Sequence, residues 1–310
     1  MMYYVNTKIA LRMILGVVFL FSGALTLHAA EKVSAKRSGK EIQVMVDGHL
    51  FTSYKFDDSQ KYPYFWPVNG PKSGKSVTTE SSKPWPHHHS LFFGCDHVND
   101  GNYWQDANAR GQILSEGPNI IESSGDRVEF TDECFWKKPD HAPIIRDIRR
   151  VLITAPDQNS RVIDFEITLQ PLTDIRITKT NHSLFSARVV PELSADSGGT
   201  LINAEGKTRE KGTWGIHSEW IDYSGTWDNG TTEGIAIFQN PNNRWFPSRW
   251  FTRDYGFFSP TPMYWPPNGK YIDFQEGEII TLKYRVVVHE GDNEAAHIND
   301  LFREYRLNNE

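Results

Sequence analysis

The sequence predicts an all-β fold, a large antiparallel β-sandwich with a short C-terminal helix. Three observations carry this. Apolar and polar residues alternate with period two through most of the chain beyond residue 30, most cleanly in Thr281–His289, where Leu282, Tyr284, Val286 and Val288 share a face. Turn residues punctuate the alternation at Asp47-Gly48, Ser124-Gly125-Asp126 and Asp157-Gln158-Asn159. A helical period shows only near the end, where Ala296, Ile298, Leu301, Phe302 and Tyr305 line one side of residues 293–307. About fourteen strands and one terminal helix build a sandwich rather than an α/β layer fold.

Taken in order, residues 1–30 read as a secretory signal peptide. Lys8 and Arg12 precede the apolar run Met13–Leu27, and His28-Ala29-Ala30 offers small residues for cleavage. Residues 31–310 then form a single domain, periplasmic or secreted. Glu41–Val46 and His49–Phe56 make a hairpin, followed by the stretch Tyr62-Pro63-Tyr64-Phe65-Trp66-Pro67. A Gly-, Ser- and Lys-rich loop, Asn69–Lys83, delivers the chain to Trp85-Pro86-His87-His88-His89. Strands are expected over 110–116, 119–124, 126–136, 144–155 and 160–172, and two short ones within 176–191. A loop over 194–212, a strand Trp214–Ser224 and a short buried strand Gly234–Gln239 follow.

Composition excludes several function classes. The net charge of -6 comes from interspersed acids and bases, so no basic stripe marks a nucleic-acid partner. No later apolar run approaches the roughly 20 residues a spanning helix needs, so the mature chain has no membrane span. Aromatics make up 13% of the chain, with ten Trp, which suits sugar-stacking platforms as well as a β core. Cys95 and Cys134 are read either as a disulfide or as two buried thiols.

Three stretches carry candidate chemistry. Residues 85–97 hold four of the eleven histidines, with Trp85 and Asp96. Strand alternation would place His87 and His89 on one face and His88 on the other. His88, His89 and His97 are the candidate ligands of a divalent metal, and equally candidates for metal-free acid–base work; His87 is the least expected to take part. In Trp214–Ser224, alternation sets His217, Glu219, Ile221 and Tyr223 side by side, with Trp220 opposite. Residues 240–256 interleave Arg244, Arg249 and Arg253 with Trp245, Trp250 and Tyr255, and add Asn243 and Asp254. Arg clamps carboxylates and aromatic faces stack on sugar rings. Lys179, His182 and Arg188 form a weaker set, with Lys179 on the opposite face.

Several segments, in this order over nearly all of the chain after residue 30, resemble the PmoA-like family of bacterial proteins, which carries a methane-oxygenase label. They are Tyr64-Phe65-Trp66-Pro67-Val68, His87–Gly94, Val98-Asn99-Asp100-Gly101, Trp220–Gly225, Pro241-Asn242-Asn243, Trp250–Gly256 and Tyr284–Gly291. Where that family commonly has His-His-Arg-Ser, this chain has His88-His89-Ser90. The resemblance implies a supersandwich of the galactose-mutarotase-like kind. It does not imply methane oxidation, which in a membrane oxygenase subunit needs several spanning helices.

Together these readings predict an exported carbohydrate-active enzyme, a lyase, hydrolase or epimerase. His88, His89 or His97 would transfer protons with Glu219, and Arg253 with Lys179 would stabilise a developing oxyanion. Trp85, Asp96, His182, Trp220, Tyr223, Asn243, Trp250, Asp254 and Tyr255 would hold the sugar. The alternative class is a non-catalytic carbohydrate-binding or surface assembly protein.

Overall fold

A computed structural model of the chain describes Met1 and residues 32–309. The signal peptide expected over residues 1–30 therefore falls outside the described residues, apart from Met1. Two nine-stranded antiparallel sheets pack face to face. The first runs, edge to edge, Trp250–Arg253, Phe257–Pro260, Ser183–Arg188, Leu91–Cys95, Tyr64–Val68, His49–Lys55, Glu41–Val46, Val33–Ser38 and Ser124–Gly125. The second runs Thr200–Asn203, Trp220–Thr226, Thr232–Gln239, Ile280–Glu290, Ser160–Pro171, Ile145–Asp157, Arg127–Lys137 and Gln112–Ser115, with Asn119–Glu122 also on Arg127–Lys137.

The longest hairpin shows how sequence sets register. Ile145–Asp157 and Ser160–Pro171 pair from Ile145 with Pro171 to Asp157 with Ser160. Asp157 Oδ1 closes the turn by accepting from the Asn159 amide at 2.7 Å and the Ser160 hydroxyl at 3.0 Å. Between the sheets, alternate residues meet in an aromatic core. Phe185 of the first sheet stacks on Phe165 and Tyr284 of the second at 4.9 and 4.8 Å. Such pairs add about 0.5–1.5 kcal/mol each beyond area burial. The helix Ile298–Leu307 covers the far face of the second sheet, where Phe302 and Tyr305 pack on Phe238. Cys95 and Cys134 are both buried free thiols.

Two expectations change here. Strand Trp220–Thr226 begins six residues later than the alternation in 214–224 suggests. Gly215 adopts a positive φ of 72° and breaks the pleat, and its amide donates to Trp250 O at 2.7 Å. His217 and Glu219 thus lie outside the strand, while Ile221 and Tyr223 turn into the core. The irregular loop expected over 240–256 contains the edge strand Trp250–Arg253, which pairs with Phe257–Pro260.

Candidate functional site

On strand Leu91–Cys95, Phe93 points into the core and Phe92 outward, against Tyr62 and Trp104 at 4.7 Å each. The face turned away from the second sheet therefore carries the chemistry-bearing residues. The chain leaves this strand at Asp96 and folds back over it, with the Tyr103 amide on Cys95 O at 2.9 Å. Gly94 permits this close return, since a Cβ there would sit 2.6 Å from Tyr103 O. Trp104 is delivered to the same face, 5.7 Å from the His182 ring.

Asp96 and His182 form the best-defined polar pair. Asp96 Oδ2 lies 2.9 Å from His182 Nδ1, and Asp96 Oδ1 accepts from the Thr180 hydroxyl. Asp96 is buried, whereas the His182 side chain is 25% exposed. Because a carboxylate only accepts, Nδ1 carries the proton, and in the neutral ring the lone pair is on Nε2. The Gln105 amide stands 3.1 Å from the same Nδ1.

Around this pair gather His87, His88, Arg188, Tyr255 and Phe257. His87 and His88 are 4.5 Å apart ring to ring, and His87 is 6.1 Å from His182. His88 packs on Phe257 at 4.4 Å. The Arg188 guanidinium lies 4.1 Å over the Tyr255 ring. Desolvation, reinforced by His182 and His89, lowers the His87 pKa to about 4; desolvation with His87 and Arg188 lowers that of His88 to about 2. Both rings are neutral at physiological pH. Burial also lowers the Arg188 pKa.

The cluster contains buried polar atoms without a protein partner: His87 Nε2, His88 Nδ1, Trp104 Nε1, and Arg188 Nε and Nη1. Buried donors are normally satisfied. Several on one face make a site that receives acceptor oxygens. Backbone strain concentrates nearby: Ser90, His97, Asn99, Asp100 and Asp106 all have positive φ, a feature that gathers at functional sites. A cleft of about 500 Å³ opens beside the pair, lined by His97, Asn99, Gln105, Asp106, Arg110 and Arg176 among others.

The structure brings Trp85, His88, Asp96, His182 and Tyr255 together, and adds His87, Trp104 and Arg188. Trp85 covers the cluster, 6.0 Å from His87 and 6.4 Å from His88. His87 belongs to the wall because the segment before Ser90 is a turn, and the alternation that paired it with His89 does not apply. His89 points away, its Nδ1 2.9 Å from Glu80 O and its ring against Tyr62 and Tyr64. His97 is exposed in the cleft, 4.0 Å from Asp96. His88, His89 and His97 therefore do not converge on a metal, and no group of three His, Cys, Asp or Glu side chains among the described residues is placed to hold one.

The other expected site residues take structural places. Glu219 pairs with Arg306 of the C-terminal helix at 3.3 Å, on the far side of the sandwich from the histidines. Trp220 packs in the apolar cluster beneath that helix. Trp250 is fully buried, donating to Ser218 O at 2.8 Å. Tyr223 is buried and donates to Arg253 O at 2.8 Å. Asn243 anchors its loop by exchanging two 2.8 Å bonds with the Lys283 backbone. Arg253 pairs with Glu210 at 2.8 Å, and Asp254 accepts from the Glu210 amide at 2.7 Å. Lys179 lies on the exposed surface, 5.1 Å from the Tyr264 ring.

A family model described as "Family of unknown function (DUF6807)" matches residues 41–303. Among curated proteins, none is similar in sequence. Solved structures similar to the chain include a galactose mutarotase related enzyme from Lactobacillus acidophilus (8% identity, TM-score 0.32, covering 83% of this chain and 97% of that one). A candidate aldose 1-epimerase from Klebsiella pneumoniae is similar at 9% identity and TM-score 0.39, covering 93% and 91%. A polysaccharide lyase is similar at 10% identity and TM-score 0.30, covering 87% of this chain and 34% of that one. Neither the family description nor these structures refers to PmoA or methane oxidation.

Proposed function

We propose that this chain, which belongs to the family of unknown function DUF6807, is an exported carbohydrate-active lyase acting on a glycoside that bears a carboxylate. The observation that carries this is the face shared by the His182–Asp96 pair and the partnerless donors of Arg188.

In such an elimination His182 Nε2 takes the proton from the carbon next to the carboxylate. The electrons of that C–H bond form a C=C bond, and the glycosidic C–O bond one carbon further breaks. The imidazolium returns the proton to the departing oxygen, so atoms and charge balance. Asp96 fixes the tautomer and stabilises the imidazolium. A carboxylate opposes loss of the neighbouring proton until its own charge is matched, and the Arg188 donors supply that match in a water-poor setting. Hydrolysis by two carboxyl groups suits the site less well. That mechanism needs two free carboxyls about 5–9.5 Å apart, while Asp96 is engaged by Thr180 and His182 and Asp106 by Asn102.

The test is turnover by purified residues 31–310 on polygalacturonate, alginate and neutral glucans. Ultraviolet absorbance of a new unsaturated uronate supports the reading. Saturated products mean a hydrolase, and no product from any acidic glycan overturns the enzyme.

A further inference from the structure

One cavity away from the histidines is walled by aromatic and proline side chains. It holds about 400 Å³, within the range of small-ligand sites, between Trp245, Phe246, Pro247, Pro262 and Trp265. Its polar groups, Arg249 and His217, fix each other. His217 Nδ1 lies 2.7 Å from Pro247 O and so donates to it, which leaves Nε2 to accept from Arg249 Nε at 3.1 Å. Arg249 Nη1 donates to Gly215 O at 3.2 Å. Arg244 and Arg253 are neutralised by Glu278 and Glu210. Arg249 has no carboxylate partner among the described residues. An exposed, positioned guanidinium beside indole walls suits an anion carried on a flat, partly apolar ring.

A run of rings, of which Trp104, Phe257 and Phe251 are buried, lies beneath the surface between this cavity and the histidine cluster. Trp104 is 6.1 Å from Phe257, Phe257 5.9 Å from Phe251, Phe251 6.2 Å from Tyr264, and Tyr264 4.9 Å from Trp265. The exposed Lys179 lies over its middle, 5.1 Å from the Tyr264 ring, and the Arg253–Glu210 pair sits beside Phe251, 4.0 Å from that ring. Trp214, 39% exposed, flanks Trp265 at 5.7 Å.

We propose that the cavity between Trp245 and Trp265 is an outer subsite for an acidic sugar unit of a polymeric glycan, whose chain crosses the exposed Lys179 to reach the histidine cluster. This rests on the carboxylate-bearing substrate class proposed above and adds a polymer and a second grip on it. A second contact made within one ligand raises affinity through effective concentration, so the subsite shows as a dependence on chain length.

Calorimetry with galacturonate oligomers, and affinity electrophoresis in polygalacturonate or a neutral β-glucan, test this on residues 31–310. Wild-type affinity is expected to rise about tenfold or more from dimer to hexamer. Arg249→Gln and Trp265→Ala are expected to lose that gain, and Trp214→Ala part of it. Arg249 and Trp214 are exposed, so their variants keep the test open if Trp265→Ala does not fold. Affinity independent of length, or unchanged in all three variants, overturns the subsite. Equal retention in neutral glucan overturns its preference for acid. Length-dependent binding through Arg249 without any turnover supports the subsite and removes the lyase. Turnover without a length effect does the reverse.

Discussion

Asp96 and His182 face each other where two neighbouring strands of the first sheet meet the surface. The Asp96 amide donates to His182 O at 3.0 Å, and the Asp96 carboxylate holds His182 Nδ1 at 2.9 Å. One residue thus extends the ladder and sets the tautomer. Asp96→Asn keeps the shape but offers an amide where only an acceptor serves. Turnover is expected to fall by about 10²–10⁴, with little change in KM. Steady-state kinetics on the best acidic glycan checks this; a loss confined to KM would make the pair a binding element.

Arg188 separates stability from activity. Its Nε and Nη1 are buried without partners; the guanidinium lies over the Tyr255 ring, and Asp196 and Tyr223 favour its charge only from a distance. A cation–π contact is worth up to about 2 kcal/mol, whereas holding a charge out of water costs several. Arg188→Met is therefore expected to leave melting temperature unchanged or higher while cutting turnover by about 10² or more. Calorimetry and kinetics on the same preparation decide it. A clear loss of stability would mean the guanidinium is structurally satisfied.

The neutral histidines make the fold acid-sensitive. With folded pKa values near 4 for His87 and 2 for His88, against about 6.5 when unfolded, the unfolded chain binds more protons as pH falls below 6.5. Their contribution is constant above pH 7 and is lost progressively below it, down to about pH 4 for His87 and about pH 2 for His88. For His88, the more buried, the loss at pH 5 is on the order of 1–2 kcal/mol. Denaturant midpoints from pH 7.5 to 4.5 should fall less steeply in His88→Gln than in wild type. Parallel slopes would place the sensitivity elsewhere.

Glu219→Gln tests the sequence reading against the structure. Glu219 is a base only if it reaches the sugar. Its exposed pair with Arg306 is worth under about 1 kcal/mol. Turnover should match wild type, with a melting shift of at most a few degrees. A large fall in kcat would bring Glu219 back to the site.

The period-two pattern made the fold class and the long hairpins readable, because a half-buried strand must alternate whatever its neighbours are. The histidine stretch was readable as a site from density alone. Which histidines act together was not, because alternation needs a strand and Ser90 at φ 60° ends a turn. The pairing of Asp96 with His182 spans 86 residues and depends on strand order, which local pattern does not encode. Glu219 misled for a local reason: Gly215 breaks the pleat before it. Arg188 carried a usable signal, since it shares alternation parity with His182 across Ser183–Arg188.

The loop that delivers the chain to Trp85 is held by a carboxylate that sequence gives no reason to single out. Glu233 is fully buried, and a Cβ on Gly70 would lie 2.3 Å from its carboxyl group. Its Oε1 accepts from the amides of Lys72 at 2.8 Å and Ser73 at 3.0 Å, and its Oε2 from the Trp227 indole at 2.8 Å. Oε2 also accepts from the Ser73 hydroxyl; the other three partners are N–H donors on both oxygens, so an amide at this position must turn its own NH₂ toward at least one of them. Glu233→Gln is expected to cost about 1–3 kcal/mol, the desolvation penalty of a buried donor left facing a donor. Because the weakened bonds are those that pin the Lys72–Ser73 turn to Glu233, hydrogen exchange should accelerate there more than in the Ser160–Pro171 hairpin. Uniform acceleration across both would mean that Glu233 supports the sandwich as a whole and does not specifically anchor the loop that leads to the histidines.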